Sequence, residues 1–187
     1  MRFTLLGLLA TIVGYASALQ PCNQNGNQPK LRRDGRHVTF GIIAFHGHQA
    51  LDILRPLDTF NTLVFAFNVP LNLSFIAETL DPVSTRPRNL AAPPISDFDE
   101  SIVPTHTYDN APPLDVLIVL GGRGTRDAEA MQLPIDFIAK VYPSLQYLIT
   151  VCTGAGVAAR AGVLDGKRAT TNKRSWASTI ALREQVK

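Results

Sequence analysis

Apolar residues fall along this chain in short continuous runs, and the segments between the runs carry helical spacing. The continuous runs predict four strands, at His37–Phe45, Leu73–Glu78, Leu114–Leu120 and Tyr147–Val151. The helical spacing predicts four helices, at Ala50–Phe67, Leu133–Tyr142, Gly154–Ala161 and Ser175–Glu184. Strands of this length alternating with helices are typical of α/β proteins.

The strands are apolar at nearly every position instead of alternating between apolar and polar residues. Such strands belong in a parallel sheet that helices cover on both faces. We therefore expect one α/β domain over residues 37–187. Between residues 81 and 110 the chain is rich in Pro and Asp, which predicts only short extended pieces. Arg168–Thr171 is a further candidate for a short strand.

The N-terminus has the pattern of a secretory signal peptide. Arg2 precedes an apolar stretch at Leu5–Val13, and Ala16–Ala18 fits a small-x-small cleavage site. The apolar stretch is too short to span a membrane comfortably. We expect cleavage after Ala18, a flexible polar and basic leader over residues 19–36, and a secreted protein without membrane attachment. Asn72 then begins an N-glycosylation sequon.

Composition and charge exclude several other classes of protein. The chain has 187 residues, of which 45% are hydrophobic and 18% charged, so it is neither disordered nor fibrous. Its net charge is +3, and four of the basic residues lie in the short run 30–36. A solvated tail explains this run better than a nucleic-acid partner, because no basic stripe interleaved with aromatic residues accompanies it. Arg32 and Arg33 are also a weak candidate for dibasic processing.

Three features follow strands that are expected to be parallel. Asp52 comes shortly after the first strand, Gly121 and Gly122 follow the third, and Cys152 follows the fourth. Ligands of parallel sheets bind outside the carboxyl ends of the strands. Together, these residues predict a site at that edge.

Cys152 lies where a strand turns directly into a helix, so the thiol is expected at the N-terminus of that helix. The positive end of the helix favours thiolate over thiol. The amides of Gly121, Gly122 and Gly154 are expected to stabilise an anion on a substrate. Two alternatives remain open: a buried cysteine acting as a small apolar residue, and a disulfide with Cys22, which would require the leader to reach deep into the fold.

The stretch VCTGAGVAARAGVLDGKRATT, residues 151–171, resembles the elbow of the ThiJ/PfpI family in the class I glutamine amidotransferase-like superfamily. LDILRP at residues 51–56 and LIVLGGRGT at residues 117–125 resemble two further segments of its isonitrile hydratase-like branch. The resemblance spans roughly residues 37–176. It implies a flavodoxin-like three-layer α/β sandwich with a mostly parallel sheet, a small-molecule substrate, no cofactor, and a homodimer. It also implies catalytic roles for Cys152 as nucleophile and for Thr153 and Asp52 as its partners.

Two departures from the family pattern stand out. The bacterial pattern continues ATTHW after the elbow helix, whereas this chain has Asn172 in place of the histidine. His46 and His48 are alternative bases, although loop histidines are more often solvated, and no further His or Cys supports a metal site. Family members also continue with another strand and helix, so the domain is expected to be incomplete at its C-terminus.

The leading hypothesis is a secreted, cysteine-dependent hydratase or hydrolase-like enzyme that is nearest to isonitrile hydratase. A glyoxalase or deglycase-like activity on small dicarbonyls is an alternative, which is disfavoured because Asp52 stands where such enzymes usually use a glutamate. A non-catalytic redox-sensing or inactive domain is the third hypothesis.

Overall fold

The computed structural model describes residues 20–21, 37–89, 96–182 and 186, and the structural statements below refer to these residues. The strands are β1 Gln20–Pro21, β2 Val38–Ile43, β3 Leu71–Ala77, β4 Val83–Ser84, β5 Ser101–Ile102, β6 His106–Thr107, β7 Val116–Val119 and β8 Tyr147–Thr150. The α-helices are α1 Ala50–Phe67, α2 Gln132–Val141, α3 Gly154–Arg160 and α4 Trp176–Ile180. Short 3₁₀ helices lie at Arg123–Arg126, Tyr142–Ser144 and Lys173–Ser175.

One six-stranded sheet organises the fold, in the order β1-β8-β7-β2-β3-β6. The five strands from β8 to β6 are parallel, and β1 adds an antiparallel pair at the β8 edge. The chain moves from β2 toward β6 and then returns to β7 and β8 on the other side of β2. Because such crossovers are right-handed, α1 covers one face of the sheet, and α2 and α3 cover the other. The expected flavodoxin-like α/β fold is confirmed.

The core lies along the central strands, which helices cover from both sides. All four residues of β7 are buried, as are the last four residues of β2. Helix α1 buries Ile53 and Leu63 against the sheet, and the ring of Phe60 packs on Phe40 with centroids 4.5 Å apart. Continuous apolar strands are what a sheet buried on both faces requires.

Most predicted elements are present with small shifts at their ends. Helix α1 has the predicted bounds, while each predicted strand is trimmed or displaced by one to three residues. The predicted strand at Arg168–Thr171 is wrong, because this segment is irregular and the Thr171 hydroxyl donates to the carbonyl of Cys152 at 3.0 Å. Within Ser175–Glu184, the α-helix covers only Trp176–Ile180.

The predicted leader meets the described residues only at Gln20–Pro21, which pair with Leu148 and Tyr147. The predicted signal peptide, Cys22 and the basic run lie outside the described residues. Across the described helices, none combines the length and the hydropathy that a membrane crossing requires.

Candidate functional site

Cys152 occupies a strained turn between β8 and α3. Its φ angle is +53°, in the left-handed region that residues other than glycine rarely adopt. Helix α3 begins two residues later at Gly154, where a Cβ would overlap the carbonyl oxygen of Val119. Only glycine therefore allows the first turn of α3 to lie against the end of β7. The predicted strand-turn-helix elbow is confirmed, and it presents the thiol at the carboxyl edge of the sheet.

Gly121 is the point where the predicted site residues meet. Its amide donates to Oδ2 of Asp52 at 3.1 Å. A methyl group on Gly121 would lie 2.7 Å from the Cβ atom of Cys152, 2.7 Å from the amide nitrogen of Thr153 and 2.8 Å from Oδ2 of Asp52. The structure thus brings all four residues together, and the absence of a side chain at Gly121 is what allows it.

The hydroxyl of Thr153 is held by a small polar network. The amide of Gly122 donates to it at 3.0 Å, and the Thr125 hydroxyl lies 3.1 Å away. Thr125 is fixed in turn because its hydroxyl also lies 2.8 Å from the Gly122 carbonyl oxygen, and its own carbonyl accepts from the Arg160 guanidinium at 2.9 Å. Neither Thr125 nor Arg160 was predicted as a site residue, although both lie within the segments 117–125 and 151–171 that carry the family resemblance.

The glycine amides have acceptors within the protein. Those of Gly121 and Gly122 donate to Asp52 and Thr153, and that of Gly154 donates to the carbonyl of Val151 at 2.9 Å. In this arrangement they orient the site side chains. Their role as donors to an anion on the substrate stays a prediction.

The carboxyl group of Asp52 is half-buried in the first turn of α1. Burial raises its pKa above the ordinary value, and the hydrogen bond from the Gly121 amide partly opposes this effect. Pro56 lies four residues further along the helix and has no N–H, so it cannot donate to the backbone carbonyl of Asp52. A carboxyl group with a raised pKa holds a proton more readily, which suits it to proton transfer.

The thiol of Cys152 is free and partly exposed, and Asn172 donates its side-chain amide to the sulfur at 3.3 Å. Oδ1 of Asn172 accepts the backbone amide of Arg174 at 2.9 Å, which turns the NH₂ group toward the sulfur. Asn172 is the residue that replaces the histidine of the related pattern. A neutral amide can stabilise a thiolate by a hydrogen bond, but it cannot accept the thiol proton.

Neither candidate histidine, His46 or His48, takes the place of the missing histidine beside the Cys152 thiol. His48 is only 2% exposed, so the expectation of a solvated loop side chain is wrong for it. Its Nδ1 donates to the carbonyl of Phe45 at 3.0 Å, its Nε2 has no partner among the described residues, and burial lowers its pKa. Burial and the charge of Arg88 lower the pKa of His46. Within the described chain, the hydrogen bond to the Cys152 sulfur comes from Asn172 and from neither histidine.

Three further observations concern the cavity beside the site, metal binding and the glycosylation candidate. A cavity of about 440 Å³ opens beside it and is lined by His46 and by residues of the 3₁₀ helix Arg123–Arg126, but by neither Cys152 nor Asp52. Across residues 37–89 and 96–182, no three His, Cys, Asp or Glu side chains are grouped so as to hold a metal ion. Asn72 lies exposed on β3, with Oδ1 3.1 Å from Nδ1 of His37.

The fold and the site together place this chain among α/β proteins that carry a cysteine in the turn between a strand and a helix. In this chain the turn has a positive φ angle, and a carboxyl group lies beside it on a neighbouring helix. Within that class, the chain belongs to the DJ-1/PfpI family, whose sequence pattern matches residues 41–183.

Relatives and solved structures agree with this assignment. Over 140 residues the chain is 31% identical to an isonitrile hydratase from Pseudomonas putida, covering 75% of this chain and 53% of that protein. It thus spans about half the length of this curated relative. A ThiJ/PfpI family protein from Pseudomonas syringae has a TM-score of 0.55 at 24% identity, over 76% of this chain and 56% of the other. An AraC family transcriptional regulator from Pseudomonas putida has a TM-score of 0.61 at 19% identity, over 80% of this chain and 75% of the other. Both structures share the fold.

Proposed function

We propose that this protein is a cysteine-dependent hydratase that converts isonitriles to N-substituted formamides. The observation that carries the proposal is the meeting of the Cys152 elbow, the Asp52 carboxyl group and Thr153 around Gly121. The relative named isonitrile hydratase supports it at the level of the family. An aspartate beside the thiol also favours this chemistry over dicarbonyl chemistry, for which related enzymes usually pair the thiol with a glutamate.

In the first half of the proposed reaction, the thiol proton of Cys152 passes to Asp52. The sulfur electron pair then forms a bond to the isonitrile carbon, and Asp52 returns the proton to that carbon. The product is a thioimidate, S–CH=N–R, attached to the enzyme. The side-chain amide of Asn172 is positioned to stabilise the thiolate by donating a hydrogen bond to the sulfur.

In the second half, Asp52 takes a proton from water while the water oxygen adds to the thioimidate carbon. The nitrogen receives this proton from Asp52. The carbon–sulfur bond then breaks, its electron pair returns to the sulfur, and the hydroxyl proton restores the thiol. One isonitrile and one water give one N-substituted formamide, so neither an oxidant nor a cofactor is required. Thr153 orients the substrate in this scheme.

The direct test is incubation of the purified chain with n-butyl isonitrile. We expect N-butylformamide by NMR, and a covalent adduct on Cys152 by intact-protein and peptide mass spectrometry. Cys152→Ser should give neither, because an alcohol lacks the nucleophilicity of a thiolate at neutral pH.

Cys22→Ser is the matched control, since it removes the other thiol of the chain and should leave turnover unchanged. Formamide production by Cys152→Ser at the wild-type rate would contradict the proposal. So would the absence of product from n-butyl isonitrile together with turnover of methylglyoxal, which would support the dicarbonyl alternative.

We also propose that the chain is exported and carries a glycan on Asn72. The N-terminal pattern and the exposure of the Asn72 side chain support this. Protein collected from the medium of a eukaryotic host should begin at Leu19, or at Asp34 if the dibasic site is used, and it should lose mass with a glycan-removing amidase. Recovery of unmodified protein that begins with Met1 from the cytosol would refute export.

A further inference from the structure

The cavity beside the elbow site has the size and the lining of a small-molecule site. Its volume of about 440 Å³ lies within the range of ligand pockets. One wall is apolar and consists of side chains that are almost fully buried, namely Ala44, Phe45, Ala77 and Val83. Other parts of the lining come from the 3₁₀ helix Arg123–Arg126 and from the first turn of α2, at Leu133 and Pro134.

The acidic side chains of this cavity already have partners. Glu78 forms an ion pair with Arg88 at 2.9 Å. Asp127 accepts from the Asn89 side chain at 2.6 Å and from the backbone amide of Ala130 at 3.0 Å. Both carboxylates are therefore held by partners other than Arg123 and Arg126.

Two arginines of the lining remain without a counter-ion. Arg123 and Arg126 belong to the same 3₁₀ helix, and the ion pairs found in the described parts of the chain include neither of them. Both residues are exposed and line the cavity, and no hydrogen bond among the described residues uses their guanidinium donors. Guanidinium groups bind carboxylates through charge-assisted hydrogen bonds that are stronger than neutral ones.

Tyr108 adds a neutral donor to the same cavity. Its ring packs against Phe137 with centroids 5.1 Å apart, and it lines the cavity. Burial, together with the charge of Glu78, raises the pKa of its hydroxyl, so the hydroxyl keeps its proton. Among the described residues, this hydroxyl has no hydrogen-bond partner, and it can therefore donate a hydrogen bond to a ligand.

We propose that this cavity, which we call the arginine cavity, binds a small organic carboxylate with an apolar body. The carboxylate lies between the guanidinium groups of Arg123 and Arg126, and the hydrocarbon body packs on the wall formed by Phe45 and Val83. The apolar wall distinguishes such a ligand from inorganic phosphate, which would leave that wall empty. The arginine cavity is separate from the elbow site, because Cys152, Thr153 and Asp52 do not line it.

The test is a calorimetric or NMR titration of the full chain with 4-phenylbutyrate. We expect a dissociation constant of about 1 mM or lower, as befits a twelve-atom ligand. The neutral 4-phenylbutyramide and inorganic phosphate should each bind at least about tenfold more weakly. The Arg123→Gln/Arg126→Gln double variant should lose at least about tenfold in affinity for 4-phenylbutyrate, because it removes both charged donors.

The matched control is Arg55→Gln/Lys140→Gln, which removes two exposed positive charges from other surfaces and should bind as the wild type does. Cys152→Ser should also bind 4-phenylbutyrate as the wild type does, because Cys152 does not line the arginine cavity. The binding result is therefore independent of whether the proposed reaction occurs. Three outcomes would each overturn the proposal. They are equal affinity for 4-phenylbutyrate and 4-phenylbutyramide, an equal loss of affinity in both double variants, and tighter binding of inorganic phosphate than of 4-phenylbutyrate.

Discussion

The elbow site and the arginine cavity lie at the same carboxyl edge of the sheet, yet they differ in how much room they leave. At Gly121 even one methyl group would collide with Cys152, Thr153 and Asp52. The neighbouring cavity encloses about 440 Å³, and residues of strands, helices and loops all contribute to its lining. The backbone therefore approaches closely at the elbow site and holds its side chains together, while the neighbouring part of the same edge leaves space for a ligand.

The two regions also differ in how their charges are handled. In the elbow site, Asp52 is half-buried and is held by a backbone amide. In the arginine cavity, the charged side chains are largely exposed, so water and salt screen their interactions. The contrast predicts that changes at the elbow affect turnover and stability together, whereas changes at the cavity affect binding with little loss of stability.

The largest expected effect within the elbow site after loss of the thiol is that of Asp52→Asn. The amide keeps an acceptor for Gly121 but cannot transfer protons, so turnover should fall by roughly two to four orders of magnitude. Adduct formation on Cys152 should slow as well, because Asp52 carries the proton in that step, and intact-protein mass spectrometry follows its rate. Asp58→Asn, on the exposed side of the same helix, is the control and should change turnover little.

The same variant makes a prediction about stability and pH. Because burial raises the pKa of folded Asp52, the folded chain holds a proton at pH values where the unfolded chain has released it. Folding is therefore weakened as pH rises from the unfolded pKa near 3.8 through the raised folded value. Asp52→Asn should melt higher than the wild type at pH 7, and this gain should disappear below about pH 3.8. A lower melting temperature at pH 7 would contradict the burial argument.

A smaller effect is expected from Gly121→Ala, which tests close packing at the elbow. The added methyl group must displace Cys152, Thr153 or Asp52, so unfolding should cost about 1–3 kcal/mol less, and turnover should also fall. In Gly166→Ala, the methyl group meets nothing within 4 Å but the φ of +71° strains the backbone, which costs about 1–2 kcal/mol. Gly166→Ala serves as the control for a loss of stability away from the elbow site. Wild-type turnover in Gly121→Ala as well as in Gly166→Ala would show that Gly121 does not position the site side chains.

The smallest effect in this series concerns Asn172. Asn172→Ala removes the hydrogen bond to the sulfur, which we expect to lower the rate of Cys152 alkylation by iodoacetamide about fivefold at neutral pH. The exposed neighbour provides the control, as Lys173→Ala should alkylate at the wild-type rate. An unchanged rate in Asn172→Ala would show that the hydrogen bond does not stabilise the thiolate.

The fold was predictable because its signals are local. Helix α1 was placed at both ends from helical spacing alone, and β2, β7 and β8 were found because a sheet covered on both faces requires unbroken apolar runs. Arg168–Thr171 was misassigned because a short stretch with a strand-like composition extends only where a neighbouring strand pairs with it. Here Thr171 instead contacts the backbone of Cys152.

The site was predictable only in part. The meeting of Asp52 with Cys152 followed from the rule that parallel strands end at one edge. The contact between Asn172 and the thiol was signalled by the missing histidine, but its geometry depends on a turn that the sequence does not reveal. The network through Thr125 and Arg160 joins residues 28 to 35 positions apart, and the two motif segments that contain these residues do not reveal that they pair.

The positive φ of Cys152 has a consequence for how this chain can evolve. A glycine at that position would relax the backbone, because it adopts the left-handed region without steric cost. The chain instead keeps a residue that costs of order 1 kcal/mol in conformational strain. Selection for stability alone would therefore favour glycine at this position, at the expense of the thiol. A related chain with glycine at position 152 would have an unstrained turn and no thiol at the elbow, which is the stability–activity exchange expected of strained sites.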